Sequence, residues 1–248
     1  VGTARTELAA CEYGNDKGIF GFGNNGSVQS MTNLVSNAGV VATDVTGVGT
    51  ARQALEACDY GGDKGIFGFG KPSGVTAVTN LVSNAGVVAT DTTGVGTARR
   101  LLAACQYGTN KDKGIFGFGM DGSSANQSMT NLVSNTGVVA TDTTGVGTAR
   151  REMAACSYGG DKGIFGFGFD AAGVVGMTNL VSNVGVVASD VTAVGTDRYN
   201  LAATQYGSDK GIFGFGNDGS YTAVTNLVSN AGVVATDVTG VGTARGYL

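Results

Sequence analysis

The residues with the clearest capacity for chemistry are arginines that recur at one point of a repeated segment. Each arginine ends the sequence Val-Gly-Thr-Ala-Arg or its variant Val-Gly-Thr-Asp-Arg. A guanidinium carries five donors in a planar fork, so it can bind a ligand carboxylate or hold backbone carbonyls in place. We therefore expect either a ring of ligand-binding donors or a set of structural ties at Arg5, Arg52, Arg99, Arg150 and Arg198.

Other reactive side chains are few. The chain contains no histidine, which removes the commonest general base and the commonest metal ligand. Cys11, Cys58, Cys105 and Cys156 occupy equivalent positions in successive repeats, Thr204 takes the fifth, and the Cys-x-x-Cys spacing of zinc sites is absent. We expect these cysteines to be small packing residues. We also expect no metal, no cofactor and no enzymatic activity, with an enzyme as a distant alternative.

One aspartate per repeat begins the pattern Asp-x-Thr-Gly/Ala-x-Gly. A calcium loop needs several oxygen ligands at alternate positions, and one carboxylate is too few. We expect a local Asx turn instead. The aspartates are Asp44, Asp91, Asp142, Asp190 and Asp237.

Composition limits the partners. The 248 residues are 42% hydrophobic and carry a net charge of −4, which suits a single domain over residues 1–248. No basic stripe is present for nucleic acid, and no apolar run is long enough for a membrane helix. We expect a monomer, with a protein or glycan as the possible ligand.

The repeat indicates the architecture. Copies of the arginine segment begin 47 to 51 residues apart, a period typical of propellers and repeat arrays. The repeats cover residues 1–47, 48–94, 95–145, 146–193 and 194–240, and residues 241–248 are a partial sixth copy.

Each repeat is predicted to form a four-stranded antiparallel meander, because short β-branched runs alternate with Gly/Asn/Asp turns. In the second repeat the expected strands are Leu55–Tyr60, Lys64–Phe69, Val78–Val82 and Val87–Thr90. The fold class is therefore all-β, and the predicted architecture is a five-bladed β-propeller. How the partial sixth copy shares the closing blade stays open.

Alternation along the second strand explains how blades could stack. Phe20 and Phe22 are expected on one face, with Gly21 and Gly23 on the other. Phenylalanine rings of one blade would then fill the space above the glycines of its neighbour. A closed ring leaves no blade with an uncovered face, whereas the alternative, an open array, should have polar end repeats.

The repeat resembles the Kelch repeat. The residues that carry the resemblance are Arg52, the run Gly61-Gly62-Asp63-Lys64-Gly65-Ile66-Phe67-Gly68-Phe69-Gly70, Val78 to Leu81, Gly86 to Val88, and Thr97 to Arg99. Gly-Phe-Gly replaces the family's double glycine, leucine replaces its tyrosine, and no tryptophan is present. The resemblance covers all five repeats and implies a scaffold that mainly binds proteins, with a minority of enzymes.

The five copies differ most in the pair after each arginine and in the loop between the second and third strands. Both connections leave a four-stranded blade at the same end, and loops on a rigid scaffold commonly carry binding residues. We expect a non-enzymatic binding module with this face exposed. A structural scaffold, recently amplified or engineered, is the alternative. Besides the arginines above, the candidate residues are Lys71, Arg100, Met120, Arg151, Phe169, Tyr199 and Tyr221.

Overall fold

A computed structural model describes residues 2–248, so Val1, the first residue of the first repeat, lies outside the described part. The chain is all-β, and the strands are β1 (Ala9–Tyr13), β2 (Lys17–Gly21), β3 (Thr32–Val35), β4 (Glu56–Tyr60), β5 (Lys64–Gly68), β6 (Thr79–Val82), β7 (Arg99–Arg100), β8 (Ala103–Tyr107), β9 (Lys113–Gly117), β10 (Met120–Asp121), β11 (Thr130–Val133), β12 (Ala154–Tyr158), β13 (Lys162–Gly166), β14 (Thr178–Val181), β15 (Ala202–Tyr206), β16 (Lys210–Gly214) and β17 (Thr225–Val228). Within residues 2–248 no helix has the length and hydrophobicity of a membrane span.

The strands form one three-stranded antiparallel sheet per repeat, and β7 and β10 form a short two-stranded ribbon. We number the three-stranded sheets 1 to 5 along the chain. The three predicted strands of the second repeat agree with the observed ones within one residue at each end. The expected fourth strand, Val87–Thr90, is wrong as a continuous strand, because its residues make only an isolated bridge, between Val88 and Val82.

The hydrophobic core lies between the sheets. Each of four clusters joins residues of one sheet to residues of the next, and the four have nearly the same composition. In the first cluster Tyr13, Ile19 and Phe22 of the first repeat pack against Leu55 and Phe67 of the second. Each repeat is therefore stabilised mainly by its neighbours, as in other stacked repeat proteins.

Phenylalanine fits over glycine as predicted. A Cβ atom on Gly21 would lie 2.7 Å from the Phe67 ring of the next sheet, so only glycine leaves room for that ring. The same relation joins Gly68 to Phe116, Gly117 to Phe165 and Gly166 to Phe213.

The expectation that both phenylalanines of a repeat share one face is wrong. Phe67 contacts Phe22 of the preceding repeat, whereas Phe69 contacts Phe116 of the following one. The reason is the backbone: β5 ends at Gly68, and Phe69 has φ +62°. This left-handed conformation breaks the alternation of side chains that holds within a strand.

The first and last sheets each have a face that no neighbour covers. Phe20 is 38% exposed, whereas its equivalents Phe67, Phe116, Phe165 and Phe213 are all 0% exposed. At the other end of the series Gly214 has no phenylalanine ring above it. The five sheets are thus stacked in order, and the two ends of the series are not packed on one another.

Candidate functional site

The repeated arginines are buried between sheets. Arg52 donates from Nε to Phe69 O (2.8 Å), from Nη1 to Thr50 O (3.1 Å) and from Nη2 to Asn80 Oδ1 (2.7 Å). Its guanidinium also lies 4.2 Å from the ring centre of Phe22 in the preceding repeat. Burial lowers the pKa of Arg52 to about 10. Arg99, Arg150 and Arg198 share this setting and, like Arg52, are 0% exposed, which favours the structural-tie alternative over ligand binding.

The repeated aspartates complete these ties, so the expected local Asx turn is wrong. Asp91 accepts hydrogen bonds from Thr50 Oγ1 (2.6 Å) and Thr50 N (3.0 Å), which lie 41 residues earlier in the sequence. Asn80 Nδ2 donates to the same carboxylate at 2.9 Å. Burial opposes ionisation of Asp91, but the hydrogen bonds from Thr50 and Asn80 outweigh it and lower its pKa. Arginine, asparagine and aspartate therefore act as one network in each repeat.

The first and the last copies of the arginine segment each make only part of this set of contacts. Arg5 donates from Nη2 to Asn33 Oδ1 at 2.6 Å in its own repeat. Arg245 instead stacks 4.1 Å from the ring centre of Phe215, and its carbonyl accepts a hydrogen bond from Gly216 N at 2.9 Å. The partial sixth copy thus occupies the position that follows the fifth repeat.

A ladder of backbone hydrogen bonds joins all six copies. The second residue after each of the six arginines has φ between +51° and +59°. From the second copy onward its N–H donates to the carbonyl of the equivalent residue one repeat earlier, which gives five hydrogen bonds of 2.9 to 3.1 Å. The backbone is thus the same at each step while the side chains differ. The ladder residues are Glu7, Ala54, Leu101, Glu152, Asn200 and Tyr247.

All six ladder residues line one cavity of about 460 Å³, which we call the ladder cavity. The residues that follow them, Leu8, Leu55, Leu102, Met153, Leu201 and Leu248, line it as well. Arg5 and Arg100 are the candidate residues of the sequence analysis that also line it. The cavity therefore combines an aliphatic layer with carboxylate, amide, phenol and guanidinium groups, a mixture typical of ligand sites.

Glu56 is an unusual member of this lining. The equivalent positions in the other repeats are Ala9, Ala103, Ala154 and Ala202. Burial raises the pKa of Glu56 to about 8. A perturbed carboxyl group in a cavity is a common feature of functional sites, although structural carboxyls show it too.

The predicted surface residues of repeats four and five come together. The Arg151 guanidinium lies 4.7 Å from the ring centre of Phe169, and the Phe169 and Tyr199 rings are 5.6 Å apart, edge to face. Antiparallel backbone bridges between Arg151 and Phe169 and between Tyr199 and Asn217 bring the two variable segments of each repeat together, as expected. Tyr221 is exposed and lies against Gly246.

Two further candidate residues, Met120 and Lys71, belong neither to the ladder cavity nor to the stack of Arg151, Phe169 and Tyr199. Met120 was expected at the surface but is 7% exposed, because β10 pairs with β7 and its side chain is covered. Lys71 is bridged to Gln53 and is not part of the cavity lining.

The sequence analysis missed Tyr247 as a lining residue. The sixth copy of the arginine segment was the available signal, because the residues that follow it continue the ladder.

A second cavity, of about 360 Å³, is lined by the four cysteines and Thr204 and is called the cysteine cavity. Burial raises the pKa of the Cys156 thiol to about 12 and that of Cys105 still further, so these thiols are poor nucleophiles. Asp59 also lines it; burial and the neighbouring Glu12 raise the Asp59 pKa to about 7. The cysteine sulfurs lie against glycines of the next sheet, such as Cys58 against Gly114, which is the packing role expected.

Among residues 2–248 no three His, Cys, Asp or Glu side chains are grouped as metal ligands. The chain matches no known protein-family model and no curated protein.

Proposed function

We propose that this chain is a non-enzymatic binding module and that its ligand, a protein segment, occupies the ladder cavity. The observation that carries the proposal is the ladder itself. Six positions have the same backbone conformation and are joined by five equivalent hydrogen bonds, yet their side chains are Glu, Ala, Leu, Glu, Asn and Tyr. Different side chains on one repeated backbone suit an asymmetric ligand. The alternative is the structural scaffold, in which loop positions vary between copies without a ligand.

The chemistry of the lining favours a peptide over a glycan. Aliphatic residues such as Leu102 and Met153 form one layer of the cavity, and Glu7 and Glu152 provide carboxylates beside it. Such a surface suits an extended segment with apolar and polar side chains in turn. The stack of Arg151, Phe169 and Tyr199 adds an aromatic element that is also compatible with a sugar ring, so a glycan is the alternative ligand.

We further propose that the five sheets are blades of a Kelch-like, propeller-type arrangement. Residues of all five repeats line the ladder cavity, and residues of all five repeats also line the cysteine cavity. This is what a common central axis requires. The closed five-bladed ring expected from the sequence would in addition need sheets 1 and 5 to pack together.

An array of peptides and glycans tests the binding proposal. Any hit is then measured against a variant with Glu7→Gly, Glu152→Gly and Asn200→Gly, because glycine keeps the left-handed backbone without strain. We expect this variant to unfold at the same urea concentration as the parent and to bind at least about tenfold more weakly. Lys71→Ala, outside the cavity, is the control and should bind normally.

Two results would contradict the proposal. A blank array over wide panels favours the structural scaffold, and undiminished binding by the triple glycine variant places the ligand elsewhere on the surface.

A further inference from the structure

Four contacts recur at each of the four interfaces between consecutive sheets. A phenylalanine ring of the later sheet covers a glycine of the earlier one, and a cysteine of the earlier sheet lies against a glycine of the later one. A tyrosine of the earlier sheet packs on a hairpin glycine of the later one, for example Tyr60 on Gly137. A backbone hydrogen bond joins the adjacent turns, for example Gly61 N to Asp112 O at 2.8 Å.

Sheet 5 presents the earlier half of this interface with nothing bound to it. Tyr206 is 39% exposed and Leu227 40% exposed, whereas the equivalent Tyr158 is 3% exposed. No ring covers Gly214. Within residues 2–248, Gly207 N–H has no counterpart of the turn hydrogen bond that Gly159 N makes with Asp209 O.

Sheet 1 presents the later half, also unfilled. Phe20 covers no glycine and is 38% exposed. Nothing lies within 4 Å of a Cβ built on Gly39, although each of its four equivalents faces a tyrosine ring. Gly18 meets no cysteine sulfur from another repeat. The two uncovered faces therefore match each other residue for residue, as the two sides of one interface.

The sixth copy of the arginine segment lies next to sheet 5. Arg245 and Tyr247 occupy the sixth arginine and ladder positions. However, Arg245 makes no side-chain hydrogen bond within residues 2–248, whereas Arg52 is held by Asn80 of its own sheet. Thr204 of sheet 5 and Phe20 of sheet 1 line the same cysteine cavity, so the two faces border one common space.

We propose that the space between sheets 5 and 1 is a docking site for one further three-stranded sheet of this repeat type. The partner sheet contributes a phenylalanine to Gly214, a hairpin glycine to Tyr206, and an Asn–Asp pair to Arg245. Its opposite face contributes a glycine to Phe20 and a tyrosine to Gly39. The proposal rests on the continuity of an interface seen four times and does not depend on the ligand of the ladder cavity.

The test adds the further sheet to the same chain. Residues 246–248 are replaced by the sequence of residues 53–94, which completes a sixth repeat after Arg245. We expect the thermal midpoint to rise by about 5 °C or more. Gly207 N–H should become protected from hydrogen exchange in the extended chain only. The control extension is the same 42 residues in shuffled order, which should produce neither change.

A pair of matched variants assigns the gain to the two faces. A Cβ atom on Gly214 would lie 3.3 Å from Thr225 Cγ2 and more than 4 Å from every other neighbouring atom of residues 2–248. We therefore expect Gly214→Val to leave the thermal midpoint of the parent nearly unchanged. In the extended chain the same substitution should abolish most of the rise, because the new ring needs that space. Gly166→Val, under the Phe213 ring, should destabilise both chains.

Three results overturn the proposal. The first is an extended chain with an unchanged midpoint and an unprotected Gly207. The second is a clear destabilisation of the unextended chain by Gly214→Val, which would mean that sheets 5 and 1 pack directly on one another in a closed ring of five sheets. The third is a concentration-dependent dimer of the parent that Gly214→Val abolishes, which would assign the face to a second copy of the chain.

Discussion

At the scale of single residues, the buried arginines decide which polar groups can serve a ligand. Each of the four internal arginines donates to a threonine carbonyl and to an asparagine and lies against an aromatic ring. In three of them Nε also donates to a phenylalanine carbonyl, whereas Arg99 Nε has no partner among residues 2–248. An arginine with such partners is a tie between repeats. The sequence leaves two roles open for the arginines. Neither their depth of burial nor the contact between Thr50 and Asp91, which are 41 residues apart in the chain, can be read from local spacing.

Substitution of a single arginine tests this role. Arg150→Met leaves Asn179 Oδ1 and Thr148 O without their arginine donor and removes one of the hydrogen bonds to Asp190. Removal of one partner from a buried charged network costs about 3 to 5 kcal/mol. Arg245→Met removes only an exposed stacking contact with Phe215, worth about 1 kcal/mol or less. Urea unfolding of the two variants measures the difference, and equal losses would contradict the assignment.

At the scale of the strand and the sheet, prediction succeeded for the first three strands of the second repeat, which end close to glycine or asparagine turns, and failed for Val87–Thr90. The ends of β4, β5 and β6 were predicted within one residue. Prediction also failed at Phe69, whose φ of +62° is unusual for an aromatic residue and turns the side chain toward the next repeat. A non-glycine residue in that conformation is fixed by packing between sheets, which no pattern within one strand reveals.

Equivalent phenylalanines at different sheets separate packing from intrinsic strand preference. Phe116→Ala removes a ring that is fully buried between sheets 2 and 3, and such a truncation costs about 3 to 5 kcal/mol. Phe20→Ala makes the same chemical change in the same strand position, but the ring is 38% exposed and no earlier sheet packs on it. We expect it to lower the unfolding free energy by about 1 kcal/mol or less. A loss at Phe20 as large as that at Phe116 would show that sheet packing is not the source of stability.

At the scale of the whole molecule, the five repeats together form two cavities. These cavities lie at opposite ends of the first strands of the sheets. The ladder cavity contains Glu56 at the beginning of β4, and the cysteine cavity contains Asp59 near its end. Stacking of nearly identical sheets could be inferred from the period of the sequence. The cavities and the uncovered end faces could not, because they depend on the number of sheets and the angle between them.

The two cavity carboxyls make the stability of the molecule depend on pH in a defined direction. Burial raises the pKa of Glu56 from 4.5 to about 8, and burial with the Glu12 charge raises that of Asp59 from 3.8 to about 7. The folded protein therefore keeps protons that the unfolded chain releases. The stability that these two groups contribute is largest below their unfolded pKa values, about pH 4, and falls as pH rises toward 8, by at most about 1.4 kcal/mol per pH unit for each group.

Urea unfolding between pH 5 and 9 measures this dependence, at about one-unit steps. Glu56→Gln removes one titration while it keeps the size of the side chain, so its stability relative to the parent should increase with pH up to about 8 and then level off. Asp59→Asn should show the same increase, complete by about pH 7. Arg100 lines the same cavity as Glu56. A close approach of its guanidinium to the Glu56 carboxylate would stabilise the charged form and would reduce the pH dependence expected for Glu56→Gln. A difference between Glu56→Gln and the parent that stays constant with pH would mean that water reaches this carboxyl freely, and the ladder cavity would then be too open to enclose a ligand.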